Sequence, residues 1–168
     1  MAYEFYVTIE GTKQGKWKGE SPRDKHKDKL GGLSYQHEIK SPRDAATGQA
    51  SGKRQHGAIT ITKEWGASTP QSFAALCTNE VLKSVLFEFF KTNATGEEYL
   101  YHTIKLTNAT ISNIKYMTGT AAGGEGASTA KHTGAYDTHE LEAVSFTYQK
   151  IEVENKDGKT MGLDDWHQ

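Results

Sequence analysis

Most of this chain alternates. In "YEFYVTIE", Tyr3, Phe5, Val7 and Ile9 fall on one side while Glu4, Tyr6 and Thr8 fall on the other, the period-two pattern of a half-buried strand. "LSYQHEIK" follows the same logic: Leu33, Tyr35, His37 and Ile39 share a face that should pack inward, and Ser34, Gln36, Glu38 and Lys40 lie opposite. Further strands are expected at "AITITK", "SVLFEFFK", "EYLYHTIKL", "ATISNIKYM" and a long run from about His139 to Glu154. That last run changes phase, because Val144, Phe146 and Tyr148 share one face and Ile151 and Val153 lie on the other. A bulge or strong bend near Gln149 reconciles the two halves. "TNATGEEY" reads as a turn between neighbours, and "ENKDGKT" carries the Asp-Gly hairpin signal. An open sheet of so many strands leaves adhesive edges, so the expected fold is mainly β: an antiparallel β-barrel with one short flanking α-helix and long loops.

The helix is expected at "STPQSFAALCTN". Ser68 or Thr69 offers a side-chain oxygen to the first free backbone amides, and Pro70 suits the first turn, where no donor is needed. Phe73, Leu76 and Cys77 recur at i, i+3 and i+4 as a narrow apolar stripe, which places the cysteine inward as a small hydrophobe. Asn79 tolerates a left-handed backbone and closes the helix. So short a helix is marginal alone in water and must pack on the barrel. Two segments escape all periodicity. Ser41 to Gly57 is polar and longer than a hairpin turn requires, and Thr118 to Asp137 is rich in Gly, Ala, Ser and Thr.

Composition narrows the function more by exclusion than by assignment. At 168 residues the chain suits one compact domain, residues 1–168, and is short for two. With a formal net charge of -1, neither nucleic acid nor an anionic membrane is an expected partner. Charge is nonetheless uneven, with basic residues between Lys13 and Lys29 and acidic ones from Asp137 onward. The single cysteine, Cys77, forms no intrachain disulfide. The N-terminus alternates and carries Glu4 where a signal peptide is continuously apolar, and no stretch is long enough to span a bilayer, so synthesis and folding in the cytoplasm without membrane insertion are expected.

No catalytic set emerges. "GQASGK" has three residues between its glycines where a phosphate-wrapping loop needs four, and Arg54 stands where a metal-binding hydroxyl belongs. The seven histidines are scattered without ligand spacing, and no nucleophile elbow or marked carboxylate pair occurs. No catalytic residue, metal or cofactor is therefore assigned. Aromatic residues with basic neighbours, such as Trp17 and Tyr35, are explained by core packing more simply than by single-stranded nucleic acid.

The order of features resembles the Hcp family, the haemolysin-coregulated tube proteins of type VI secretion. "GES" followed by "DKHKD", "ITITKEWGASTP" leading into the helix, "LKSVLFEFF", "YHTIKLTNATISNI" and "HELEAVSFTYQKIEVENKDG" carry the likeness over almost the whole length. Gly66 stands where the family often has Asp, and Asn79 where it often has Gly. The resemblance implies a structural subunit rather than an enzyme: six copies form a ring, rings stack into a tube, small effectors ride in the lumen, and the subunit is itself exported. Its implied partners are further copies, the contractile sheath, the spike and effector proteins. On that reading Ser34, Gln36 and Glu38 are candidates for the lumen, and Ser41 to Gly57 is the extended hairpin that reaches the adjacent ring through Arg43, Lys53 and Arg54. A phage-tail or extracellular contractile-device tube protein is the alternative of related architecture.

Overall fold

The computed structural model describes residues 4–118 and 140–166, so the Gly-rich loop beyond Thr118 lies outside the described residues. In chain order the strands are β1 (Glu4–Gly11), β2 (Gly15–Lys16), β3 (Leu30–Gly32), β4 (Ser34–Gln36), β5 (Ile39–Lys40), β6 (Gln55–His56) and β7 (Ile59–Glu64). Helix α1 (Thr69–Thr78) follows, then β8 (Leu82–Thr92), β9 (Glu98–Met117), β10 (Leu141–Thr147), β11 (Lys150–Asn155) and β12 (Thr160–Asp165). Strand pairing runs β2-β1-β8-β9-β10-β7-β4, all antiparallel. Among the described residues the ladder does not close as a ring of hydrogen bonds. Instead β3 pairs with β1 and β4 with β7, so the chain itself spans the gap at Leu33, whose amide donates to the Thr62 carbonyl at 2.8 Å.

The inward phase of each strand builds the core. Phe5, Val7 and Ile9 of β1 meet Val85 and Phe87 of β8, Leu106 of β9, Ile59 and Ile61 of β7 and Phe146 of β10, with Trp17 sealed among them. The two strands expected at "EYLYHTIKL" and "ATISNIKYM" are one strand, β9, which Asn108 lets continue by taking a φ of 51°. Its first half pairs with β8 and β11, its second with β10. The expected break near Gln149 is present and carries the chain from β10 to β11.

Three local expectations are corrected. Leu33 and Ile39 are exposed rather than inward, because both lie outside β4, Leu33 before Ser34 and Ile39 beyond Gln36, and only Tyr35 and His37 keep the inward phase. Neither Ser68 nor Thr69 caps the helix: the Ser68 hydroxyl donates to Glu20 at 3.2 Å, and Thr69 Oγ1 accepts from the Gly66 amide at 3.0 Å. Phe73 and Cys77 are exposed, and α1 instead buries Ser72 and Ala75. The small residues win because the helix lies close to β9, leaving no room for a phenyl ring beneath it. Pro70 in the first turn and left-handed Asn79, at φ 50°, stand as expected.

Beneath the N-terminal end of α1, the inward stripe of β7 continues past Ile61 to Lys63, which is 1% exposed. Its ammonium donates to Glu142 at 2.6 Å and to the Glu64 carbonyl at 2.8 Å, and pairs with Glu20 at 2.7 Å. A Cβ on Gly66 would stand 2.6 Å from Glu20 Cγ, so the glycine admits this carboxylate.

Candidate functional site: a neutral sheet face and an ordered arm

Directly paired residues of a sheet share a face, so the registers define what each wall presents outward. In the β4-β7-β10-β9 wall, Ser34 opposes Thr62 and Gln36 opposes Thr60. Thr62 then opposes Ala143, Thr60 opposes Ser145, and Ser145 opposes Asn113. Thr60 and Ser145 share a hydrogen bond of 2.8 Å, and Thr110 and Thr147 one of 2.9 Å. The result is a face of hydroxyls and amides, with Glu64 and Lys115 at its margin the ionisable groups among the residues paired on this face. The β8-β9-β11 wall is the opposite case. Glu88, Lys105, Glu152 and Glu154 share its outer face, where Lys29 pairs with Glu88 at 2.7 Å and Lys150 with Glu152 at 3.4 Å.

The structure thus brings Ser34 and Gln36 together with Thr60, Thr62, Ser145 and Asn113. The four additions were not singled out from the sequence, yet a signal existed: the outward phases of "AITITK" and "AVSFT" carry Ser and Thr where solvated strands usually carry Lys and Glu. Glu38 does not join this face. It sits beyond the end of β4, its carbonyl accepts from the Gly57 amide at 2.9 Å, and its carboxylate pairs with Lys40 at 3.4 Å. The wall also has two unlike open edges. Among the described residues no strand pairs with the far side of β4, nor with the far side of β9 between residues 110 and 117.

Residues 37–57 form an arm ordered by its own hydrogen bonds. Ile39 pairs with His56 and Lys40 with Gln55, an isolated bridge joins Arg43 to Ala50, and the Ser51 amide donates to the Pro42 carbonyl at 3.0 Å. The tip is wound around Asp44, whose carboxylate accepts from the Ala46 and Thr47 amides at 2.8 and 2.9 Å, while Gly48 takes a φ of 71°. The Asp44 carboxyl is held below its ordinary value chiefly by the bond from the Thr47 amide. Arg43 and Lys53 are exposed along the arm.

At the arm's root, side chains distant in sequence converge. His37 Nε2 lies 2.7 Å from the Tyr148 hydroxyl, and His56 Nδ1 lies 2.9 Å from the same oxygen. His56 Nε2 lies 2.6 Å from Asp164, which also receives the Arg54 Nε–H. Arg54 Nη2 reaches the Asp165 carbonyl at 3.2 Å, and the Trp166 indole donates to the Tyr148 carbonyl. Burial, reinforced by the charge of Asp164, pushes the Tyr148 hydroxyl up to about 12, so it stays protonated. The Arg54 bond, helped by the weaker contribution of the His56 bond, holds Asp164 below the usual carboxylate value against the opposing effect of burial. Arg54, placed by sequence among the loop's outward contacts, is thus engaged within its own chain, whereas Arg43 and Lys53 are not drawn to the root.

Against this geometry, residues 6–154 match the family described as "Type VI secretion system effector, Hcp". The chain belongs to the Hcp family. It is 35% identical to the "Major exported protein" of Pseudomonas aeruginosa, across 99% of this chain and 96% of that one. Among solved structures, it superposes on one described as an Hcp protein with a TM-score of 0.83 at 29% identity, covering 98% of this chain and all of the other. The Hcp1 protein from E. coli EAEC 042 gives 0.81 at 25% identity, covering 98% and 99%, and the secreted protein Hcp3 from Pseudomonas aeruginosa 0.76 at 28%, covering 99% and 100%. The fold is therefore an Hcp fold, and the protein is a type VI secretion protein.

Proposed function

We propose that this Hcp protein is a structural tube subunit: six copies close into a ring, rings stack, and the β4-β7-β10-β9 wall lines the lumen. The observation that carries this reading is the combination of an uncharged polar outer face with two different open edges on one wall. A closed ring needs a heterologous contact, in which one edge of a copy meets a different edge of the next. Unpaired backbone groups on β4 and on the second half of β9 supply two such edges. The face between them, with Ser34, Gln36, Thr60, Thr62 and Asn113 open to solvent and Ser145 buried beside Thr60, offers hydrogen bonds without fixed charge, which suits a passage for small effector proteins that must later leave. The arm extends the subunit toward an adjacent ring, with Arg43 and Lys53 as its exposed cations and Arg54 setting its angle. Sheath, spike and effectors are the further partners, and the assembled tube is exported, in line with the name of the Pseudomonas aeruginosa relative.

Negative-stain microscopy with sedimentation velocity tests this reading. Six-fold rings with a central hole are expected, and Gln36→Trp should leave the rings intact while reducing effector co-purification. A protein that stays monomeric at high concentration would overturn the proposal.

A further inference from the structure

We propose that the root of the arm is an acid-sensitive latch in which His37 is the proton-responsive member, holding the arm on Tyr148 while uncharged and letting it loosen once protonated.

The hydrogen-bond chain admits one arrangement of protons while the histidines are neutral. Asp164 is a carboxylate and only accepts, so the His56 nitrogen 2.6 Å away, Nε2, carries the hydrogen. His56 Nδ1 is then an acceptor and takes the Tyr148 hydroxyl proton at 2.9 Å. The Tyr148 oxygen, having donated, accepts from His37 Nε2–H at 2.7 Å. Each link thus depends on the next, and the arm is fastened to the barrel at both of its roots, His37 on one side and His56 on the other.

The two roots differ in how they meet a proton. Around His37 stand the Tyr35 and Tyr148 rings, at 6.4 and 5.9 Å between centroids, and His56; no carboxylate bonds to it among the described residues. The nearby charges are otherwise engaged: Glu38 with Lys40, Lys150 with Glu152, and Arg54 with Asp164 and the Asp165 carbonyl. A positive His37 would therefore sit half-buried beside His56 with no carboxylate bonded to it among the described residues. Burial, and after it the neighbouring His56, lowers its pKa from the usual 6.5. A lowered value means that opening the root takes up a proton, so the latch is held above about pH 6.5 and weakens as pH falls below it. Asp164, held below 3.8 mainly by Arg54, remains charged across that window, so the His56 root keeps its anchor. Acid thus loosens one root of the arm. Weaker contact between rings in acid is the consequence if the proposed tube is correct, whereas the latch itself lies within one chain.

Hydrogen exchange on the full-length protein tests the latch. Between pH 7.5 and 5.5, after correction for intrinsic exchange chemistry, the amides of Ser51 and Gly57 should lose at least tenfold in protection while those of Val85 and Leu106 hold. His37→Gln keeps a neutral donor that does not titrate, and should flatten the profile. A flat wild-type profile, or full pH dependence in H37Q, would overturn the proposal. Should that variant fail to fold, 15N signals of the wild-type imidazoles decide. His37 must be the neutral Nε2–H form at pH 7.5 and titrate below 6.5 in step with arm exchange; titration at or above 6.5, or out of step, refutes the latch. Sedimentation in the same buffers reports rings separately, so loss of assembly is not confused with loss of the latch.

Discussion

Replacing Lys63 by Met isolates the energetics of the polar plug beneath α1. The ammonium has three donors and three acceptors within 2.8 Å, on Glu142, Glu20 and the Glu64 carbonyl, and its satisfaction is complete. Glu142 is 0% exposed, and among the described residues one of its carboxylate oxygens has no partner and, without Lys63, the other keeps only the Thr69 hydroxyl at 3.3 Å. Stranding a buried charge in this way costs about 3–5 kcal/mol, a large share of the ~5–15 kcal/mol that holds a domain folded. Glu20 is 22% exposed and can recover water, which confines the penalty to Glu142. In urea, with a slope of about 2 kcal/mol per M, the midpoint should fall by roughly 1.5–2.5 M, read by tryptophan fluorescence. Adding Glu142→Gln to Lys63→Met removes the stranded charge and should restore about 2 kcal/mol, a coupling within the usual range for residues in contact. A loss under about 1 kcal/mol for the single variant, or two effects that simply add within ~0.5 kcal/mol, would refute the reasoning.

Three further outcomes are expected. Gly32→Ala places a methyl 2.0 Å from the Phe5 ring, which is already stacked on Phe89 at 5.3 Å, and should cost about 1–3 kcal/mol of overpacking; a melting temperature within 1 °C of wild type, where roughly 2–4 °C per kcal/mol is the norm, would show that the ring moves freely. Arg54→Glu sets a carboxylate against Asp164 and detaches the arm, so stacked rings should be lost while single rings persist in the ultracentrifuge; unchanged stacks would exclude the arm as the stacking element. Burial alone would raise the Glu80 pKa, but the Gln14 side chain and the Gln14 and Lys13 amides together lower it below 4.5, so its contribution is intact above that pH and is lost as acid protonates it; acid unfolding of Glu80→Gln should therefore show a shallower pH dependence below 4.5, and an unchanged slope would contradict this.

Where one local rule decides, the chain was legible. The period-two runs, the phase change near Gln149, the first-turn Pro70 and left-handed Asn79 each follow from sterics or hydrogen bonding within a few residues, and the structure has them. The side of the wall occupied by Ser34 and Gln36 was also readable, because alternation fixes which residues share a face. Where the deciding partner lies far along the chain, sequence failed. Lys63 was not singled out, although it continues the inward stripe of Ile59 and Ile61. Glu142, 79 positions away, and Glu20, on the other side in sequence, make that burial tolerable. Phe73 and Cys77 made a plausible helical stripe, but the short distance between α1 and β9 selected Ser72 and Ala75 instead.

The seven histidines show the division most sharply, since spacing alone marked His37 and His56 as scattered. Tyr148, 92 positions from one and 111 from the other, joins them into a single hydrogen-bond chain. By itself the sequence determined the β-rich architecture, the helix position and the likeness to Hcp proteins, because local backbone preferences and alternation are written residue by residue. The neutral wall with its open edges, the polar plug and the root of the arm were decided by tertiary structure, because each depends on the three-dimensional register that places remote side chains within hydrogen-bond reach.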